Sequence, residues 1–379
     1  MLFVFGTRPE AIKLAPLILA LGETSDLVPI VVVTAQHRQM LDQVLEFFRI
    51  DPDHDLDVHR PGRSLSAIAA STLDRLDPVI EQLVPDMLVV QGDTTSTLAG
   101  ALAGFHRRVP VTHVEAGLRS FDRAAPFPEE VNRRAVSQLA DLHLAPTPTS
   151  AANLAAEGIC GEDVVCTGNL VIDALDRAIA TAQPPEDHRL ADLAADPRRL
   201  LLVTVHRRES WGAPLRSVGR ALGRLARERS DLVVVLPLHL NPLVREAIAP
   251  EVAGLANVLV VPPLAYGSFA WLIDRADLVL TDSGGIQEEA PSRGTPVLVL
   301  RETTERPEAV TAGTARLVGT DEDRIVDAVT GLLDHEDQYL AMARAVNPFG
   351  DGNAAARSVA AIRWRFGTGS RPEEFAPSR

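Results

Sequence analysis

MLFVFGTRPEAIKLAPLI, residues 1–18, reads as one complete βα unit. The run from Met1 to Phe5 is apolar without alternation, the mark of a strand covered on both faces. Gly6 and Thr7 supply a turn, and Pro9 suits the first helical turn, where no N–H is needed. An amphipathic stretch, EAIKLAPLILALGE, follows. Arg8 and Lys13 lie across the helix start, near the positive end of its dipole, where cations are disfavoured unless an anion joins them. They read either as two solvated charges or as part of an anion site. Lys13 is also the only lysine, so 36 of the 37 Lys+Arg residues are arginine.

The same pattern recurs along the chain. VPIVVVTA, MLVVQG, VPVTHVEA, LHLAPT, DVVCTG, LLLVTVH, LVVVLPLH, VLVVPP, LVLTD and PVLVL are further strand candidates, nearly all continuous apolar runs separated by helical segments. Repeated βα units of this kind predict parallel sheets. At 379 residues the chain exceeds what one core usually holds. The strand series pauses at TGNLVIDALDRAIATAQPPEDHRL and restarts at RRLLLVTVH. The expected fold class is therefore α/β, with two doubly wound Rossmann-like domains and a ligand cleft beyond the carboxyl ends of their strands. The expected divisions are residues 1–168 for the first domain and 169–352 for the second. A helix over about 353–366 is expected to return to the first domain, and residues 367–379 read as a disordered tail.

Composition excludes several classes. A formal charge of −14 argues against nucleic-acid binding, although a local arginine cluster can still hold a small anion. Two cysteines, Cys160 and Cys166, are too few for a disulfide framework and lack metal-ligand spacing. No apolar run reaches membrane-span length, and the opening strand lacks a basic leader, so a cytoplasmic protein without membrane contact is expected. Aromatic residues are only 4%, which disfavours ring-lined recognition of bare sugars or bases.

Chemistry concentrates just past the strands. Asp93 follows VVQG and precedes a Thr/Ser run, so it reads either as an N-cap or as a carboxylate held at the site. Glu115 follows THV, and Glu129 opens a helix after Pro126 and Pro128, where a first-turn carboxylate also has a plain capping role. Asp93, Glu115 and Glu129 at successive strand ends would form a carboxylate cluster suited to acid/base work. In the second half His206, Arg207 and Arg208 follow one strand and His239 the next. LVLTDSGGIQEEA is the strongest local signal: Ser283, Gly284 and Gly285 let backbone approach a phosphate, and a carboxylate one turn later can accept from ribose hydroxyls. Arg301, Glu302 and Arg306 lie on the loop after PVLVL.

Together FGTRPEAIKLAPL, TAQHRQMLDQVL, QGDTTSTLA, HVEAGLRS, PFPEEVNRR, TGNLVIDAL, HRRESWG, LTDSGGIQEEAPSRGTPVLVLRETTERPEAV and DGNAAAR resemble the non-hydrolysing bacterial UDP-N-acetylglucosamine 2-epimerases. The resemblance implies a glycosyltransferase-B type fold, a homodimer, and no metal or nicotinamide cofactor. It implies conversion of UDP-N-acetylglucosamine to UDP-N-acetylmannosamine by anti elimination of UDP, through 2-acetamidoglucal, with a product destined for polysaccharide biosynthesis. Carried over by motif, Asp93, Glu115, Glu129, His206 and Lys13 become the catalytic group. Arg8, His206, Ser283, Gly284, Gly285, Glu289 and Arg306 become the UDP-binding group. Gln36, His37, Gln39, Arg207 and His239 match a second, allosteric UDP-N-acetylglucosamine pocket. Val205 stands where glycine or alanine is more familiar, a larger side chain on the approach to His206 that is expected to be tolerated.

Three alternatives compete: a glycosyltransferase of the same fold, a hydrolysing epimerase, and a nucleotide-sugar sensor without turnover. A transferase leaves three carboxylates and Lys13 in the donor half unexplained, and a sensor needs no carboxylate set.

Overall fold

The computed structural model of the chain describes residues 1–35, 38–58, 62–207 and 211–377. These divide into two compact units, one formed by Met1–Ala174 with Phe349–Ala376 and the other by Leu175–Pro348.

The first unit is a parallel sheet of β1 (Leu2–Phe5), β2 (Ile30–Val33), β3 (His54–Asp55), β4 (Leu88–Gln91), β5 (Val111–Val114), β6 (Leu142–Ala145) and β7 (Val164–Cys166). Their spatial order is β3-β2-β1-β4-β5-β6-β7. The second unit repeats the scheme with β8 (Arg199–Thr204), β9 (Leu232–Pro237), β10 (Val258–Val261), β11 (Leu278–Thr281), β12 (Val297–Val299) and β13 (Ala315–Leu317), ordered β10-β9-β8-β11-β12-β13. Both are doubly wound, and all eleven strands expected from apolar runs are present. The two unexpected ones, β3 and β13, are 2 and 3 residues long, too short for a pattern.

Alternation fills both faces of each sheet. Leu2 and Val4 join Val32, Leu76, Leu88 and Val90 in one buried cluster, while Phe3 and Phe5, also fully buried, take the opposite face. Each such side chain contributes about 1.5–3 kcal/mol of burial. The helix Thr95–His106 lies close on this sheet because Gly100 and Gly104 carry no Cβ. One built on Gly100 would stand 3.2 Å from Val90 and 3.3 Å from Val4. In the second unit Leu201, Val203, Val205, Leu222, Val234, Leu236 and Leu280 form the corresponding core. Val205 is therefore packed inward at 4% exposure, while His206 points to solvent, so the larger side chain leaves the approach to His206 open.

The residues after the helix Ala354–Arg365 depart from expectation. Residues 367–377 were expected to be disordered, yet Phe375 is 4% exposed and its N–H donates to Cys166 O at 2.8 Å. One buried ring and a free edge on β7 are enough to hold a stretch whose composition is otherwise polar.

Two helical glycines of the second unit predict opposite responses to alanine. Gly223 packs against the helix Pro242–Val252, and a Cβ there would lie 2.4 Å from Glu251 O; Gly331 has nothing within 4 Å. Helix propensity favours alanine at both by about 0.8–1.0 kcal/mol. At Gly223 the backbone collision outweighs this and costs a net 1–3 kcal/mol or so, whereas Gly331→Ala gains up to about 1 kcal/mol. Chemical denaturation of the two variants reads the difference in sign.

Candidate active site

In a doubly wound sheet the neighbours flanking the reversal of strand order leave an opening at their carboxyl ends. In the first unit those strands are β1 and β4, followed by Gly6-Thr7-Arg8 and Gly92-Asp93. Glu10 joins them. Its carboxylate, 2% exposed, accepts from Gly6 N (2.9 Å), Thr7 N (2.7 Å), Thr94 Oγ1 (2.6 Å) and Thr97 Oγ1 (2.8 Å). Four donors on one buried carboxylate tie the loop that carries Arg8 to the loop that carries Asp93. Arg8 itself is exposed at the start of the helix Arg8–Gly22.

Lys13, one turn further along that helix, forms an ion pair with Glu115, with side chains 15% and 6% exposed. Glu115 also accepts from Gln91 Nε2 and, at 3.4 Å, from Asn169 Nδ2. Its backbone is left-handed at φ 63°, a conformation costing about 1–3 kcal/mol in a residue with a Cβ. The turn is held by Gly117, at φ 91°, where a Cβ would lie 2.2 Å from Ser150 O. The strained turn puts Glu115 Oε2 3.7 Å from the Cβ position of Gly92, the residue before Asp93. Asp93 is paired with Arg133, and its carbonyl accepts from Asn132 Nδ2 at 2.9 Å. Both partners belong to the helix Glu129–Leu139, whose first residue is the half-buried Glu129. Asp93, Glu115 and Glu129 thus come from adjoining pieces of one unit.

Arg119 takes no part. Its buried guanidinium pairs with Glu157 through bonds of 2.9 and 2.7 Å. His113, on β5, donates from Nε2 to Gly92 O at 2.8 Å and so backs the turn before Asp93. Burial pushes its pKa down to about 3, and burial takes its cross-strand neighbour His143 down to about 4. Both imidazoles are neutral at physiological pH.

The second unit repeats the arrangement between β8 and β11. Asp282, 1% exposed, accepts from His206 N and Arg207 N at 2.9 Å each and meets His206 Nδ1 at 2.8 Å. Burial works to raise the Asp282 pKa, but the His206 contact and the two backbone donors outweigh it and hold the carboxyl below its ordinary range. With Nδ1 turned to Asp282, His206 presents Nε2 outward. Beside it Ser283, Gly284 and Gly285 open the helix Gly284–Glu289. Two guanidinium groups flank Gly284: Arg207 Nη2 and Arg306 Cζ each lie 4.0 Å from its Cβ position. Arg207 is paired with Glu305 at 3.1 Å and Arg306 with Glu288. Glu289 turns its carboxylate back to 3.6 Å from the Cβ position of Gly285. The buried phenol oxygen of Tyr266 neighbours that carboxylate, and burial, then Glu289, raise its pKa.

In the first unit Lys13 is paired with Glu115, which reaches the turn before Asp93, and in the second Arg207, Arg306 and Glu289 gather at the Gly284-Gly285 turn. On the loop after β12, Glu302 pairs with Arg324 at 3.2 Å, while Glu305 pairs with Arg301 at 3.6 Å. Of the second-pocket set, Gln36 and His37 lie outside the described residues, as does the side chain of Gln39. Arg207 stands at the Gly284 turn, and exposed His239 accepts from Asn241 N at 3.1 Å. Glu10, Gln91, Asn169, Asp282 and Tyr266 were not singled out for a role. Asn169 and Asp282 sit inside TGNLVIDAL and LTDSGG, where position past a strand was the available signal.

The UDP-N-acetylglucosamine 2-epimerase family profile matches residues 19–363. The chain is 50% identical over 372 residues to UDP-N-acetylglucosamine 2-epimerase of Escherichia coli strain K12, covering 96% of this chain and 98% of that protein. Among solved structures, UDP-GlcNAc 2-epimerase of Neisseria meningitidis bound to UDP-GlcNAc superposes with a TM-score of 0.87 at 44% identity, covering 95% of this chain and 98% of that one. The Methanocaldococcus jannaschii enzyme in complex with UDP-GlcNAc and UDP gives 0.78 at 31%, with coverage of 96% and 99%.

The histidine pair carries a pH signature. Unfolded, both titrate near pH 6.5; folded, they stay neutral down to about 3 and 4. The unfolded chain binds the extra protons, so this part of the stability is complete above pH 6.5 and is lost as pH falls toward the folded values. The slope is at most about 1.4 kcal/mol per pH unit for each histidine. Urea titrations between pH 6 and 4.5 should show His113→Gln losing one such increment of slope, and an unchanged slope would contradict the assignment.

Proposed function

The chain belongs to the UDP-N-acetylglucosamine 2-epimerase family, and on that premise we propose that it interconverts UDP-N-acetylglucosamine and UDP-N-acetylmannosamine without hydrolysis. The observation that carries the reading is the carboxylate group of the first unit with Lys13 beside Glu115, because binding a UDP-sugar requires neither. The resemblance adds the expectation of a homodimer, beside the cytoplasmic location expected from the sequence.

In the proposed reaction a carboxylate removes the proton at C2 while the C1–O bond to UDP breaks. The electrons of the C–H bond form the C1=C2 bond of 2-acetamidoglucal, and those of the C–O bond leave on the diphosphate. Return of the diphosphate oxygen to C1, with a proton delivered to the other face of C2, gives the epimer. Asp93, Glu115 and Glu129 are the candidates for base and acid. The Lys13 ammonium and the amides of Gln91 and Asn169 fix the Glu115 carboxylate in place. A compact ammonium suits a point contact within a packed turn, where a planar guanidinium needs more room.

The leaving diphosphate gathers charge as C1–O breaks, and preformed cations and donors at that point lower the barrier. Arg306, with Arg207 beside it at the Gly284 turn, supplies the cations, and the Ser283-Gly284-Gly285 backbone allows close approach. By the resemblance, Arg8 of the first unit is a further UDP-binding candidate. His206, aimed by Asp282, turns Nε2 toward the departing oxygen and donates to it as the imidazolium. Glu289, steadied by Tyr266, is assigned to the ribose.

Incubation with UDP-N-acetylglucosamine in deuterium oxide, followed by proton NMR, should give UDP-N-acetylmannosamine carrying deuterium at C2. Free sugar would point to a hydrolysing enzyme, and UDP binding without exchange to a sensor or transferase. Glu115→Gln should lower kcat by about 10²–10⁴-fold with UDP affinity retained. Asp282→Asn, which disturbs His206 without touching the sugar, should lower kcat by about 10-fold or more and shift the pH–rate profile.

A further inference from the structure

The stretch after the helix Ala354–Arg365 runs along β7, the edge strand of its sheet. Phe375 N donates to Cys166 O at 2.8 Å, Cys166 N to Glu374 Oε2 at 3.2 Å, and Arg371 Nη2 to Val164 O at 2.7 Å. Arg371 also stands over the Trp364 ring, 5.0 Å from its centroid. These bonds alone would make the stretch an edge cover.

Phe375 reaches further. Its ring lies 3.5 Å from the Cβ position of Gly168, with Ala354 Cβ and Gly350 Cα each at 3.6 Å, so the glycine is enclosed. Gly168 has φ 85° and sets the direction of the next residue, Asn169. Asn169 N donates to Phe349 O at 2.7 Å, and its side chain donates to Glu115 Oε1 at 3.4 Å. Arg357 completes the enclosure, lying 5.6 Å over the Phe375 ring and donating to Thr167 O at 3.3 Å.

We propose that Phe375 is a positioning residue for the reaction: seated under the Gly168 turn, its ring aims Asn169 at the Glu115 carboxylate. The inference rests on the acid/base role proposed for Glu115. The Asn169–Glu115 contact is at the long limit of a hydrogen bond, so a few tenths of an ångström of relaxation in the turn end it. Removing the ring creates that slack, and Glu115 then keeps Lys13 and Gln91 but loses the third restraint on its orientation.

The test is a double-mutant cycle in the full chain. Phe375→Ala should lower kcat about tenfold while KM and the UDP Kd change by less than about twofold. Asn169→Ala should do the same, and the double variant should fall no further than either one. Phe375→Leu, which keeps bulk under the turn, should recover most of the rate and reports on the ring if the alanine variant fails to fold. Arg371→Ala breaks an edge bond without touching the Gly168 enclosure and should lower the melting temperature alone. Multiplicative losses in the cycle, or equal losses of kcat in Phe375→Ala and Arg371→Ala, would overturn the proposal. Glu115→Gln in the same assay separates the two readings: if it stays active, the role of Glu115 falls. If it is inactive while Phe375→Ala turns over normally, only the positioning role of Phe375 falls.

Discussion

A carboxylate buried beside the reversal point of each sheet organises everything around it. Removed from water, such a group must find several donors, and the nearest unmet ones are backbone N–H groups just past a strand. Glu10 takes those of Gly6 and Thr7 and spans from β1 to the threonines beyond β4. Asp282 takes those of His206 and Arg207 and spans from β11 back to β8. The two units solve the same problem at the same topological point, from opposite partners of the strand pair. Arg8 and Asp93 in one, and His206 and Arg207 in the other, inherit their placement from that bond.

The second constraint is backbone strain accepted for aim. Glu115 lies in a left-handed conformation that few residues with a side chain adopt, and two residues on Gly117 passes so close to Ser150 that a Cβ would not fit. The carboxylate emerges against Gly92, with Lys13, Gln91 and Asn169 around it. A relaxed Glu115 would point elsewhere, so the restraints on it matter more here than at an ordinary strand end.

Much of this was legible in the sequence because parallel strands announce themselves. Runs such as LLLVTV and LVVVL have no alternation to confuse with a helix, and their ends mark where function gathers. β3, with the sequence HD, carries no such mark, and its pairing is decided by its neighbours. Position past a strand singled out Asp93, Glu115 and Ser283 as candidates, but it could not rank Asp282 above any other strand-end residue. That residue's part depends on which backbone donors a distant strand leaves open. Residues 367–377 were misread for a related reason: their composition is that of a free tail, and one phenylalanine fitting one glycine outweighs it.

The near absence of lysine has a practical side. A chain with 36 arginines and one lysine offers an amine-directed reagent a single side-chain target, the ε-amine of Lys13. The ε-amine is 15% exposed and bound to Glu115. Acylation kinetics followed by mass spectrometry would then report on a single side chain. Without any engineered label, the protein carries a chemical probe sited on the carboxylate it is built to aim.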